Sequence, residues 1–285
     1  MRVAIVSNGN AFSTFMLAPL FEAGDVDVAG AVLVRIPPGK GGPASRLWRL
    51  SRKTGLRYTR HKAATIALPA VYGAATRRPV FLDGLSRRHG TPSISVPTVN
   101  GEDARAFLER CEPDVLLSVS SPERIEPGIL AIPRVAAVNI HWALLPRYAG
   151  VAPYFWVLRH REPRTGLTVH VMAEKLDVGS VLRQRVVEIL PQDTSLSLQL
   201  RLAEAGREEL LAALHELPAS LERARDQDLS ERSYFGWPTA ADVAALYGRG
   251  RKLASIRDYR RLLELLGGRR SMPTRESASA YSLRS

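Results

Sequence analysis

The sequence holds one cysteine, Cys111, in 285 residues. A single thiol excludes an internal disulfide framework and any cysteine-rich zinc site; it fits a reducing compartment with Cys111 as inert packing. Long apolar runs are also missing. The longest, at 63–75, is interrupted by Pro69 and Gly73 and is too short to span a bilayer. The N-terminus enters a strand-like Arg2-Val3-Ala4-Ile5-Val6 with no basic-then-apolar leader. These absences read as a cytoplasmic protein without a membrane span. Acidic residues are scarce in one place above all. Between Lys40 and Arg88, twelve basic residues face a single acid, Asp83, and the formal net charge is +12. Such a field attracts phosphate-bearing partners: nucleotide-linked small molecules, nucleic acid or anionic lipid. A solvated basic face is the plainer alternative. No aromatic interleaving sharpens the nucleic-acid reading, which stays open but is not favoured.

What is present reads as an α/β chain. Short apolar strands are expected at Val3–Val6, Asp27–Val34, Thr91–Val96, Val115–Val119, Val135–Ile140, Leu167–Met172 and Val181–Ile189. Helical spacing alternates with them at Thr14–Ala23, Gly101–Cys111, Pro153–His160 and, most clearly, Leu196–Leu214. The alternation predicts a Rossmann-like, mostly parallel sheet with helices on both faces. The Gly/Pro-rich and then basic stretch at about 36–90 reads as a helical insertion. After Ser233 come Tyr234-Phe235-Gly236-Trp237-Pro238-Thr239 and two short helices. The Trp237 region offers an apolar surface for a second copy, a homodimer partner.

Asn139-Ile140-His141 lies where a buried strand runs into a loop. Strand alternation puts Asn139 and His141 on one face, and ligands of open α/β sheets bind outside the carboxyl ends of strands. A loop of rigid turn formers follows, 143–153. Further on, Thr168 and His170 share a strand face, and Leu176-Asp177-Val178-Gly179 forms the next turn. Each residue alone has a duller reading: Asn139 a cap, Asp177 a turn former, His141 a structural histidine.

Taken together, NIHWALLPRYAGVAPYFWVL followed by TGLTVHVMAEKLDVGSVL resembles the folate-dependent formyltransferases. That family includes glycinamide ribonucleotide, methionyl-tRNA and sugar N-formyltransferases. Its pattern is Asn-x-His, a Leu-Leu-Pro loop, and a strand ending in Leu-Asp-x-Gly. The resemblance implies a formyl donor, 10-formyltetrahydrofolate, and a catalytic trio of Asn139, His141 and Asp177 that needs no metal. Asn139 and a protonated His141 would donate to the oxyanion that develops during attack by an amine. One such donor is typically worth about 3–4 kcal/mol. Asp177 would shuttle the proton and hold His141 charged. His170 would orient the Asp177 carboxylate, or be a satisfied core histidine. By the same resemblance, main-chain groups of Pro122, Glu123, Arg124 and Ile125, and of Met172, Ala173, Glu174 and Lys175, would read the pterin. The turn Ser7-Asn8-Gly9-Asn10 resembles the phosphate loop of the glycinamide ribonucleotide enzymes and would bind the acceptor, as would Tyr148.

The chain departs from the family pattern at Ala149, where many members carry Arg. The methionyl-tRNA enzymes usually add a β-barrel of about a hundred residues, whereas the segment after Leu214 shows no run of alternating strands. The Tyr-Phe-x-x-Pro-Thr segment looks like that of sugar or secondary-metabolism formyltransferases. The resemblance thus divides the chain into a catalytic domain at 1–218 carrying the insertion, an extension at 219–268 and a disordered tail at 269–285. It favours a small-molecule amine, anionic and nucleotide-linked, as the acceptor. Methionyl-tRNA formylation, hydrolysis of the formyl-folate and a folate-binding relative without activity are the alternatives.

Overall fold

The computed structural model describes residues 1–35, 37 and 42–268. Lys40, with the start of the expected insertion, and the tail at 269–285 lie outside the described residues. The chain begins with strand β1 (Arg2–Ser7), helix α1 (Ala11–Leu17) and strand β2 (Asp27–Val34). Helices α2 (Gly42–Thr76) and α3 (Leu82–Arg88) then carry the chain over to β3 (Ser93–Val96). Next come α4 (Glu102–Cys111), β4 (Val115–Val119), α5 (Pro127–Leu130) and β5 (Ala136–His141). A two-residue β6 (Ala149–Gly150) precedes α6 (Pro153–His160), followed by β7 (Arg164–Val171) and β8 (Val181–Glu188). The rest is helical, α7 (Ser195–His215), α8 (Leu217–Glu222), α9 (Ala240–Gly248) and α10 (Ile256–Leu266), apart from a short β9 (Tyr234–Phe235).

Seven strands form one sheet in the order β3-β2-β1-β4-β5-β7-β8. The first five are parallel, and β7 and β8 add antiparallel to β5. The antiparallel edge was not legible from apolar runs, because β7 reads the same in either direction. The central strands are buried on both faces, which is why they read as unbroken Val/Ile/Leu runs. On one face α1, α6 and α7 pack with Met16, Phe155 and Leu202 at 0% exposure. On the other, α4 and α5 cover Val6, Leu116 and Val32. Gly30 lets Cys111 sit against β2, since a Cβ there would lie 2.5 Å from its sulfur. Cys111 is a buried free thiol, and burial pushes its pKa up.

The expected insertion is the β2–β3 crossover. Its long helix breaks at Gly55, where φ of 79° lies in the left-handed region that glycine tolerates. Its inner face packs on α9 and α10. The segment after α8 turns back over the sheet end: β9 pairs parallel with β6, and Trp156 Nε1 donates to Gly236 O at 3.1 Å.

Candidate active site

The parallel register sets Asn139 and His141 at the carboxyl end of β5, beside β4 and against the antiparallel β7. Asn139 faces His170 and His141 faces Thr168 across that pair. The loop after His141 is rigid because Thr168 holds it from below. Thr168 Oγ1 donates to Ala143 O at 2.7 Å and accepts from Leu145 N at 3.0 Å. Gln184 Nε2 adds a bond to Leu145 O at 2.8 Å.

Asp177 reaches the same place from the turn after β7. Its φ is +57°, and its side chain is 12% exposed. Oδ2 accepts from the Gly150 amide at 3.0 Å. Oδ1 lies 3.6 Å from His141 Nδ1 and 3.9 Å from His170 Nε2. Two glycines make this possible. A Cβ at Gly179 would lie 1.8 Å from Val171 O, and one at Gly150 would lie 2.4 Å from Phe235 O. The glycines of the Asp-x-Gly turn and of the loop are therefore steric requirements of the carboxylate's position.

Main-chain carbonyls fix the tautomers. His141 Nε2 lies 2.9 Å from Tyr148 O, which can only accept, so Nε2 carries hydrogen and Nδ1 is turned toward Asp177. His170 Nδ1 likewise donates to Val171 O at 2.9 Å, leaving Nε2 to accept from Asn139 Nδ2 at 3.1 Å. Burial at 2% exposure lowers the His170 pKa, which keeps that lone pair available. Its 3.9 Å distance from Asp177 is beyond hydrogen-bond reach. His170 thus orients Asn139 rather than the Asp177 carboxylate, because its other nitrogen is already tied to the strand.

The expected folate segments lie side by side, joined by Arg124 Nη1, which donates to Glu174 O at 3.2 Å. The Glu123 carboxylate is taken by Thr98 Oγ1 and Val99 N, at 3.0 and 2.6 Å. Ile125 is a core side chain at 5% exposure. Pro122, Met172, Ala173 and Lys175 complete the two loops, with Ala173 and Lys175 solvent-facing. The amides of Ile125 and Ala173 have no protein acceptor among the described residues. Such amides suit the acceptor-rich edge of a heterocycle, so these residues fit a reduced folate held by backbone.

Two segments expected to bind the acceptor have polar groups engaged within the protein. In Ser7-Asn8-Gly9-Asn10 two amides are bonded within the turn. The Gly9 amide bonds to Ser7 Oγ and the Asn10 amide to Asn8 Oδ1. Asn10 Oδ1 caps α1 at Phe12 N and Ser13 N. The Asn10 carboxamide is thus the N-cap of α1. Tyr148 is also turned away. Its hydroxyl donates to Glu162 at 2.7 Å and its ring stacks on Phe235; burial and Glu162 push its pKa up. Its main-chain carbonyl is the part that contacts His141.

Three contributors escaped sequence reasoning. Gly150 supplies the amide on Asp177. Gln227 binds the Asp177 and Gly179 carbonyls at 3.2 and 2.7 Å, and Ser233 Oγ accepts from Tyr148 N at 2.9 Å. Gly150 sits in the conspicuous Tyr-Ala-Gly turn; nothing in the sequence marks the other two.

The chain matches known proteins over this same region. The formyl transferase family pattern covers residues 68–214. A methionyl-tRNA formyltransferase of Thermotoga maritima is 32% identical over 156 residues, 55% of this chain and 50% of that protein. One of Thermosynechococcus vestitus is 36% identical over 172 residues, 60% of this chain and 51% of that protein. The chain spans about half the length of these curated relatives. Among solved structures, glycinamide ribonucleotide transformylase 1 of Symbiobacterium toebii superposes with a TM-score of 0.54 at 17% identity. That match covers 80% of this chain and 94% of the other, and shows a shared fold. The N-formyltransferase of Helicobacter canadensis, solved with folinic acid and dTDP-3-aminofucose, gives 0.51 at 13% identity over 82% and 70%. With Asn139, His141 and Asp177 gathered at one strand end inside the matched region, the chain belongs to the formyl transferase family.

Proposed function

We propose that this chain transfers a formyl group from 10-formyltetrahydrofolate to the amine of a small anionic acceptor, such as a nucleotide-linked amino sugar or a natural-product intermediate. Residues 1–218 would form the catalytic domain and 219–268 an extension that closes over it. The observation that carries the reading is the Asp177 carboxylate. One oxygen is fixed by the Gly150 amide, and the other faces His141 Nδ1 at 3.6 Å and His170 Nε2 at 3.9 Å, with no hydrogen bond to either.

The bound donor supplies a formyl carbon on a nitrogen that departs once protonated. Everything else falls to the chain. One N–H of Asn139 is taken by His170, so the second is the donor available to the oxygen on which charge develops. Asp177 Oδ1 would accept the proton that the acceptor nitrogen loses. His141 Nδ1, 3.6 Å away, would take that proton after a small closure and pass it on toward the departing nitrogen. The Tyr148 carbonyl holds the imidazole for that transfer.

For the acceptor, the pairing of β9 with β6 draws the extension's Tyr234–Phe235 onto the loop beside Asp177. This supports a compact acceptor, like the dTDP-linked sugar of the Helicobacter canadensis structure. The curated relatives favour a second reading, formylation of methionyl-tRNA. Hydrolysis, with water in place of the amine, would use the same trio.

Asp177→Asn keeps the side chain's shape and removes its basicity. The expected result is loss of at least about 100-fold in kcat with folate affinity within a few-fold of wild type, measured by turnover and by fluorescence titration. A parallel fall in both would make Asp177 a structural residue and remove the proposed proton acceptor.

A further inference from the structure

The solvent side of α2 beyond its break is apolar where a surface helix should be polar. Ala63, Ile66, Ala67, Ala70, Val71 and Ala74 follow i, i+3, i+4, i+7, i+8, i+11 spacing and all are exposed. Ile66 is 62% and Val71 67% exposed. Thr65, Pro69 and Gly73, on the opposite side, are buried against the protein. The stripe extends about 20 Å along the helix, and Leu56, 64% exposed, continues it. Trp48, 59% exposed with Arg52 stacked 4.8 Å from its ring, stands on the segment before the break.

Both ends of the stripe are basic. Arg57 and Arg60 precede it, Arg77 and Arg78 follow it, and all four are exposed. No acidic residue occurs between Asp27 and Asp83. Asp83 is itself shared by Arg35 and Arg87 at 3.6 and 3.5 Å. The four stripe-end cations therefore have no carboxylate partner among the described residues. A second copy of the chain is a poor cover for this face. Either antiparallel or parallel packing of two such helices would set cation against cation. A surface that accepts apolar side chains between anionic groups is the complement. Exposed aliphatics, an interfacial tryptophan and flanking arginines without acids are what a helix lying in a lipid headgroup layer presents.

We propose that α2 docks this protein on an anionic membrane surface, its 63–75 stripe lying in the headgroup region and its arginines on the lipid phosphates. The helix lies on the surface; among the described residues no helix is long and apolar enough to cross a membrane.

The test is co-sedimentation of the full chain with phosphatidylcholine vesicles, with and without phosphatidylglycerol, at two salt concentrations. Binding is expected only with phosphatidylglycerol and is expected to weaken in salt. Ile66→Asp with Val71→Asp, both at exposed positions, should lower the partition coefficient by roughly tenfold or more while circular dichroism stays unchanged. Arg60→Glu with Arg78→Glu, one at each end of the stripe and both exposed, should do the same through charge. Vesicle binding that ignores headgroup charge, or that survives both variants, would overturn the proposal. So would absence of binding, including a dimer in sedimentation that the Ile66/Val71 variant abolishes.

Discussion

At Asp177 the backbone, the side chain and a distant glycine constrain one another. A left-handed φ of 57° costs a non-glycine residue about 1–2 kcal/mol, and the Gly150 amide and the Gln227 bridge to the carbonyls of residues 177 and 179 hold it there. Gly179 completes the turn because Val171 O occupies the space of a Cβ, 1.8 Å away. Backbone cannot rotate aside as a side chain would. Gly179→Ala is therefore expected to destabilise the fold by about 2–4 kcal/mol in denaturant unfolding, and to displace the carboxylate. Unchanged stability would mean that the turn is looser than this contact implies. The motif was legible in the sequence because its residues lie within two short segments. The partners of the catalytic side chains were not. Tyr148 was expected as an acceptor contact by the family resemblance, and its carbonyl holds His141. Asn10 looked like part of an anion cradle, yet its carboxamide is the cap.

Among the elements, α2 and the extension depend on each other. His61 of α2 is 6% exposed and its Nδ1 lies 3.0 Å from the Tyr259 hydroxyl of α10. Burial, and next the Lys62 charge, lower its pKa from 6.5 to about 3. Between those values the unfolded chain binds a proton that the folded chain excludes, so stability falls as pH drops from about 6.5 toward 3. The size of the effect is roughly 4–5 kcal/mol if His61 acts alone. His61→Gln should flatten that acid limb in urea titrations taken across the window. An unaltered limb would place the acid sensitivity elsewhere. Strand positions and the long α7 could be read from apolar periodicity, which depends on neighbours in sequence. The insertion could not be read as the β2–β3 crossover, nor β9 as the partner of β6. The β6–β9 pairing joins residues far apart, through two-residue strands that leave no period.

For the whole molecule, five parallel strands carry Asn139 and His141 to one sheet end, the antiparallel edge carries Asp177 back to it, and the extension folds over the same place. The basic, apolar-faced α2 stands on the outside of this assembly, where sequence patterning indicated charge but not the exposed stripe. That division separates chemistry from location and predicts that variants of the 63–75 stripe leave turnover of a soluble acceptor unchanged. The central claim is tested by following tetrahydrofolate released from 10-formyltetrahydrofolate by the full chain. The panel is amino-deoxysugar nucleotides, glycinamide ribonucleotide, methionyl-tRNA and no acceptor. Release is expected to depend on an amine and to be strongest with a nucleotide-linked amino sugar. Folate binding without release under any of these conditions would contradict it.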